Sequence, residues 1–210
     1  MRRTAFIGLL LMVAFGMEAQ MSYGVRAGLS YSSLVQRIDG VSESGSRMGY
    51  SVAGGAMYQY HRHWGVQSEL AFTNQGGSYY SAEEGLGSKA VLNKYRYYSL
   101  QVPIHLTYLF SFSGVRTGIF AGPAVDFSLF GKMKSKALES DIDFGIEKED
   151  DLKRFDLGMS AGLFAERRNV FFSIRAFCGL LDRNAVRKAD ESRLYQSNVT
   201  FSLGYVFPSR

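Results

Sequence analysis

Three histidines, a single cysteine and one acid-rich run are the residues of this chain whose types and spacing could carry chemistry. His61 and His63 flank Arg62 beside Trp64; such a pair could ligate a metal, but in a short polar connection it reads as a solvated turn. His105 stands between Pro103 and Thr107. To act as a general base it would need a serine and an orienting carboxylate, which the spacing does not specify, so it reads as a polar interior residue. The run Asp141-Ile-Asp143-Phe-Gly-Ile-Glu147-Lys-Glu149-Asp150-Asp151 offers oxygen ligands for Ca²⁺. Its spacing is not that of an EF-hand, and 139–151 reads as a solvated loop. Cys178 reads as a small apolar residue, and the sequon Asn198-Val199-Thr200 falls within a strand. One cysteine excludes an internal disulfide framework and any Cys-rich zinc or iron–sulfur centre. No catalytic, cofactor-binding or metal residue is singled out, and the chain reads as non-enzymatic.

The elements that would position these residues come next. The 210 residues suit one domain. Lys plus Arg is 24 against 19 Asp plus Glu, and the basic residues are scattered among the acids, which gives no nucleic-acid footprint. Residues 1–19 open with Arg2 and Arg3, continue with an apolar stretch from Ala5 to Phe15 and end at Ala19. That pattern predicts a secretory signal peptide, leaving 20–210 as the folded domain. The alternative, an N-terminal anchor, is disfavoured because the run falls short of the ~20 residues of a spanning helix.

Beyond residue 20 the apolar period is two rather than 3.6. Strands are predicted near 22–32, 49–60, 64–75, 97–110, 114–130, 154–166, 170–180 and 194–207. Residues 61–63, 111–113 and 167–169 form tight connections, whereas 33–48, 76–96, 131–153 and 181–193 are long and polar. Strict alternation of short and long connections is the pattern of a transmembrane β-barrel with periplasmic turns and outer loops.

The placement of charge sharpens this reading. One face of the eight strands runs through residues such as Leu29, Val52, Leu70, Ile104, Ile119, Leu163, Phe172 and Phe201. Fifty positions on that face hold no Asp, Glu, Lys or Arg, where a composition 20% charged would place about ten. The opposite face carries Arg26, Glu69, Arg116, Asp126, Arg154, Asp156, Glu166 and Arg175 among Gly, Ser, Thr and Gln. A soluble barrel or sandwich would reverse the pattern, so the apolar face is assigned to lipid and the charges to a plugged lumen. Eight strands leave an interior only wide enough for side chains. Tyr, Trp and Phe gather at both strand ends, as interfacial girdles do. Pro103 and Pro123 are expected to mark one bulge on adjacent strands, with Pro103 near residue 121. The fold class is thus all-β: an eight-stranded antiparallel up-and-down transmembrane β-barrel preceded by a signal peptide.

Five segments carry a family resemblance: Gly24-Val-Arg-Ala-Gly-Leu29, Tyr98-Ser-Leu-Gln-Val-Pro-Ile104, Gly118-Ile-Phe-Ala-Gly-Pro123, Phe155-Asp-Leu-Gly-Met-Ser-Ala-Gly162 and Leu203-Gly-Tyr-Val-Phe207. Together they resemble the PorT-like small outer-membrane β-barrel proteins of Gram-negative bacteria. The resemblance implies outer-membrane location, outer-membrane lipid as surroundings, other envelope or secretion proteins as partners, and no shared catalytic motif. The expected role is structural or interactive through the outer loops. A part in a secretion or gliding apparatus is the alternative, and a lipid-modifying enzyme is a third.

Overall fold

The computed structural model describes residues 20–38, 41–82, 90–135, 138–145, 150–184 and 193–208; the predicted signal peptide lies outside them. Nine strands follow in chain order: β1 (Gln20–Ile38), β2 (Val41–His61), β3 (Trp64–Ala82), β4 (Ala90–Phe112), β5 (Val115–Ser135), β6 (Leu138–Asp141), β7 (Phe155–Arg167), β8 (Val170–Gly179) and β9 (Arg193–Phe207). The sheet runs β4-β3-β2-β1-β9-β8-β7-β5, and β4 pairs with β5 to close it. All pairings are antiparallel, so eight strands form a closed up-and-down barrel; β6 is a short addition folded back on the outer end of β5. Closure leaves no sheet edge within the membrane, where an unpaired backbone group would be costly.

The lipid-facing assignment holds along every barrel strand. Leu29, Ile104, Ile119, Met159, Phe172 and Leu203 are exposed, while Ser30, Gln101, Thr107, Ser173 and Thr200 on the alternate positions are buried. Asn74, predicted to face outward, is instead covered: Arg47 of β2 donates to its Oδ1 at 2.9 Å. This happens where β2 departs from its register with β3, between Gly45 and Ser51.

The tight turns are shorter than predicted. Phe112 pairs with Val115 across Ser113 and Gly114, whose φ values of 49° and 76° place both in the left-handed region. Arg167 pairs with Val170 across Arg168 and Asn169, at 52° and 67°. Two-residue turns of this hand match the right-handed twist of the strands they join. One consequence corrects the register: Pro103 faces Ala124, not residue 121. The register is unshifted on either side of the prolines, and the bulge of this strand pair lies instead between Tyr98 and Ser99. There the β5 partners step from Phe130 to Ser128, leaving Leu129 as the extra residue. Segments 33–48 and 76–96 also differ from expectation, because β1 pairs with β2 as far as Ile38–Val41 and β3 with β4 as far as Ala82–Ala90. Two expected loops are therefore protruding hairpins. Their end of the barrel is the outer one by the short-turn rule.

Candidate functional site

The bore is filled in three layers. Nearest the tight turns, Arg116 and Glu166 are register partners on β5 and β7, with Arg116 Nη1 3.2 Å from Glu166 Oε2. Arg116 Nη2 also donates to Gln59 Oε1 at 3.0 Å. In the middle layer Glu69 takes two guanidinium groups. Arg26 donates through Nε at 3.1 Å and Nη2 at 2.5 Å, and Arg175 donates to the same carboxylate from the opposite wall. Arg26 Nη1 also reaches Ser202 Oγ at 3.0 Å, so the layer spans β1, β3, β8 and β9.

The third layer is near the outer mouth. Asp126 and Asp156 are register partners and both fully buried. Two buried carboxylates facing each other need a cation when both are ionised. It comes from Arg183, in the segment after β8: its Nη1 lies 3.5 Å from Asp126 Oδ2, and its Nη2 donates to Ser128 Oγ at 2.8 Å. Its guanidinium sits 5.4 Å from the Tyr97 ring centroid, and Tyr97 Oη donates to Gln196 Oε1 at 2.5 Å. Gln75 donates to Asp126 Oδ2 at 3.0 Å and to Ser99 Oγ at 2.8 Å, and accepts from Asn198 at 2.8 Å.

Arg183 was not visible as a bore residue in the sequence, and Arg154 was wrongly placed there. Arg154 precedes the first paired residue of β7, so alternation does not fix it. It is exposed, 5.8 Å from the Phe127 ring and 6.0 Å from that of Phe144, and donates to the Phe144 carbonyl at 3.2 Å. The exchange restores neutrality. Without Arg154 the predicted set has three cations and four carboxylates, and Arg183 supplies the missing cation.

Toward the outer mouth, beside Arg183, lies a buried apolar cluster, the cap, that includes Leu34, Tyr95, Tyr97 and Leu194 from the strands and Phe144 and Leu152 from the chain between β6 and β7. Backbone bonds tie the cap together: the Arg183 amide donates to Leu194 O at 2.8 Å, and the Lys153 amide to Arg183 O at 2.8 Å. The acidic run contributes to this framework, with Asp151 N donating to Asp143 O at 2.9 Å and Asp143 N to Asp151 Oδ2 at 3.1 Å. Burial, and then the neighbouring Asp143 and Asp150 charges, push the Asp151 carboxyl up from the ordinary range. Residues 146–149 of the run lie outside the described residues. No group of three or more His, Cys, Asp or Glu side chains able to hold a metal occurs among the described residues.

The half nearer the turns holds apolar side chains that the sequence reading did not place in the bore: Leu109, Phe120 and Phe164, with Met57 and Phe171 against them. Glycines make room for the rings. A Cβ on Gly118 would stand 2.4 Å from Phe164, and one on Gly204 2.3 Å from Phe171. A cavity of about 90 Å³ remains between these rings, His105 and the two lower ion layers, enough for several waters. His105 is buried in the bore as predicted, its ring 4.7 Å from that of Phe120. Gln67 donates to its Nδ1 at 3.4 Å, and Nε2 has no partner among the described residues. His63 stands at the turn with Nδ1 donating to Leu109 O at 2.9 Å, and His61 is exposed beside it. Cys178 is exposed on the lipid-facing wall.

Solved structures with a similar chain path include Ail of Yersinia pestis, at 16% identity and TM-score 0.47, covering 90% of this chain and 99% of that one. Neisserial surface protein A (NspA) is similar at 13% identity and TM-score 0.49, with the same coverage of each chain. OprG of Pseudomonas aeruginosa is similar at 12% identity and TM-score 0.48, covering 92% and 99%. No curated protein matches the sequence. Residues 17–183 match the outer membrane protein beta-barrel domain, so the chain belongs to that family of barrels and resides in the outer membrane.

Proposed function

We propose that this barrel is non-catalytic, closed through its bore, and acts through its outer hairpins and loops as a contact surface for other envelope components. Arg183 carries the reading. A loop side chain buried against the Asp126 carboxylate, beside an apolar cluster, occupies the path an ion would take. A rigid wall with elaborate connections at one end is the usual arrangement for binding through loops. The ring nitrogens of His105 reach neither a serine nor a carboxylate among the described residues, so this histidine is not set up as a general base. Insertion into planar bilayers tests the closed bore: the protein is expected to give no sustained conductance, whereas porin-like steps contradict it. Unchanged lipid profiles in a deletion strain are expected on the non-catalytic reading.

The segments resembling PorT-like proteins favour a second reading, a component of a secretion or gliding apparatus. Loss of secreted cargo on deletion would support it. On both readings residues 1–19 are a signal peptide, and sequencing of the mature protein is expected to start at Gln20.

A further inference from the structure

The lipid-facing apolar band ends abruptly on the β4–β5 wall. Tyr98 and Phe130 are register partners there, with ring centroids 4.9 Å apart, and Phe72 stacks on Tyr98 at 5.5 Å. One dyad step outward Arg96 faces Lys132, and the next step sets Lys94 opposite Lys134. All four side chains are exposed. The Tyr98–Ser99 bulge explains how they come to share the outer surface: the extra Leu129 shifts the alternation of β5, without which Lys132 and Lys134 would point to the bore side.

Like charges directly opposite each other on a sheet are unfavourable, and two such pairs in succession call for an anion. Among the described residues the ion pair within this group joins Lys132 to Glu139 at 3.2 Å, with both side chains more than half exposed and the pair correspondingly weak. Arg96 donates to Tyr98 Oη at 3.2 Å, and neither Lys94 nor Lys134 has a carboxylate within ion-pair distance among the described residues. A cleft of about 880 Å³ opens along this wall, lined also by Arg47 and by Asp141 and Glu139 of β6, the register partners of Lys132 and Lys134. Those acids offset part of the charge, but six cationic side chains against four carboxylates line the cleft.

We propose that this cleft binds the phosphorylated headgroup of an outer-leaflet lipid, with Tyr98 and Phe130 against the start of its acyl chains. The cations stand just beyond an aromatic girdle, the level at which headgroup phosphates lie. The apolar wall below continues the lipid-facing band without a break, which favours a lipid over a soluble anion.

The test uses the full chain folded in detergent micelles containing a bisphosphorylated glycolipid, with retained lipid counted by native mass spectrometry. The wild type is expected to retain it, and the variant Lys94→Ser/Arg96→Ser/Lys132→Ser/Lys134→Ser to lose retention at least about tenfold while still migrating as a folded barrel. Equal retention by that variant, or equal retention of the dephosphorylated lipid by the wild type, overturns the proposal. So does displacement of the lipid by millimolar inorganic phosphate, which would mark a free-phosphate site. Should the quadruple variant fail to fold, Glu139→Gln/Asp141→Asn is expected to raise retention several-fold, and an unchanged or lower value contradicts the proposal.

Discussion

Asp126 and Asp156 face each other in register across β5 and β7, both fully buried, and the charge that reconciles them arrives from outside the strands on Arg183. The wall on its own is therefore incompletely neutralised. On the proposed reading of a closed bore, closure of the outer mouth and stability of the wall are one property.

The first prediction concerns that coupling. Arg183→Leu leaves two buried carboxylates without their cation and is expected to destabilise the barrel by about 3–5 kcal/mol in urea unfolding from lipid vesicles. Arg183→Leu/Asp126→Asn is expected to recover part of the loss. A single variant as stable as wild type would show that Arg183 is not the counterion.

A second prediction separates the ion layers. Glu69→Gln removes the carboxylate shared by Arg26 and Arg175, and the same assay is expected to show a loss of about 3–5 kcal/mol. Arg116 and Glu166 keep partial access to solvent, so Arg116→Gln/Glu166→Gln is expected to cost about 1 kcal/mol or less. Equal costs would contradict the graded burial of the layers.

Glycines under the bore rings give a third contrast. Gly118→Ala places a methyl 2.4 Å from Phe164 and is expected to cost about 1–3 kcal/mol by overpacking. Gly54→Ala points to the lipid side, where the nearest atom is 3.9 Å away, and is expected to be neutral or mildly stabilising. Reversal of this order would place the rings elsewhere.

Depth along one lipid-facing row supplies a fourth. Ile104→Arg is expected to cost about 2–4 kcal/mol near the midplane, and Phe112→Arg, at the turn end of the same strand, about 0–1 kcal/mol. Similar costs at the two sites would contradict the spanning direction of β4.

The walls were legible in the sequence because alternation is a local signal: a charge-free row such as Leu100, Val102, Ile104 and Leu106 has only one place to go in a barrel with a polar bore. His105 and seven of the eight predicted bore charges followed from the same parity. Arg154 and Arg183 did not, because each lies just outside a strand, where no period constrains the side chain. Their sorting depends on the long-range meeting of Asp126 with Asp156. A warning was nevertheless present, since moving Arg154 out leaves the bore one cation short. Phe120, Phe164 and Phe171 were missed because a ring pointing inward is compensated by glycines on neighbouring strands, which only the register reveals. The expected bulge at Pro103 and Pro123 rested on a three-residue turn. The two-residue Ser113–Gly114 turn moved the register, and the bulge that does occur lies at Tyr98 and Ser99.

The most direct test of the apolar exterior is collisional relaxation of spin labels in lipid vesicles. Labels go on native Cys178 and, in a Cys178→Ser background, on Phe172→Cys and Ser173→Cys. Labels at 178 and 172 are predicted to relax strongly with oxygen and weakly with a soluble nickel chelate, and the label at 173 weakly with both. Strong oxygen relaxation at 173, with 172 and 178 shielded, would contradict a barrel that turns its apolar face to lipid.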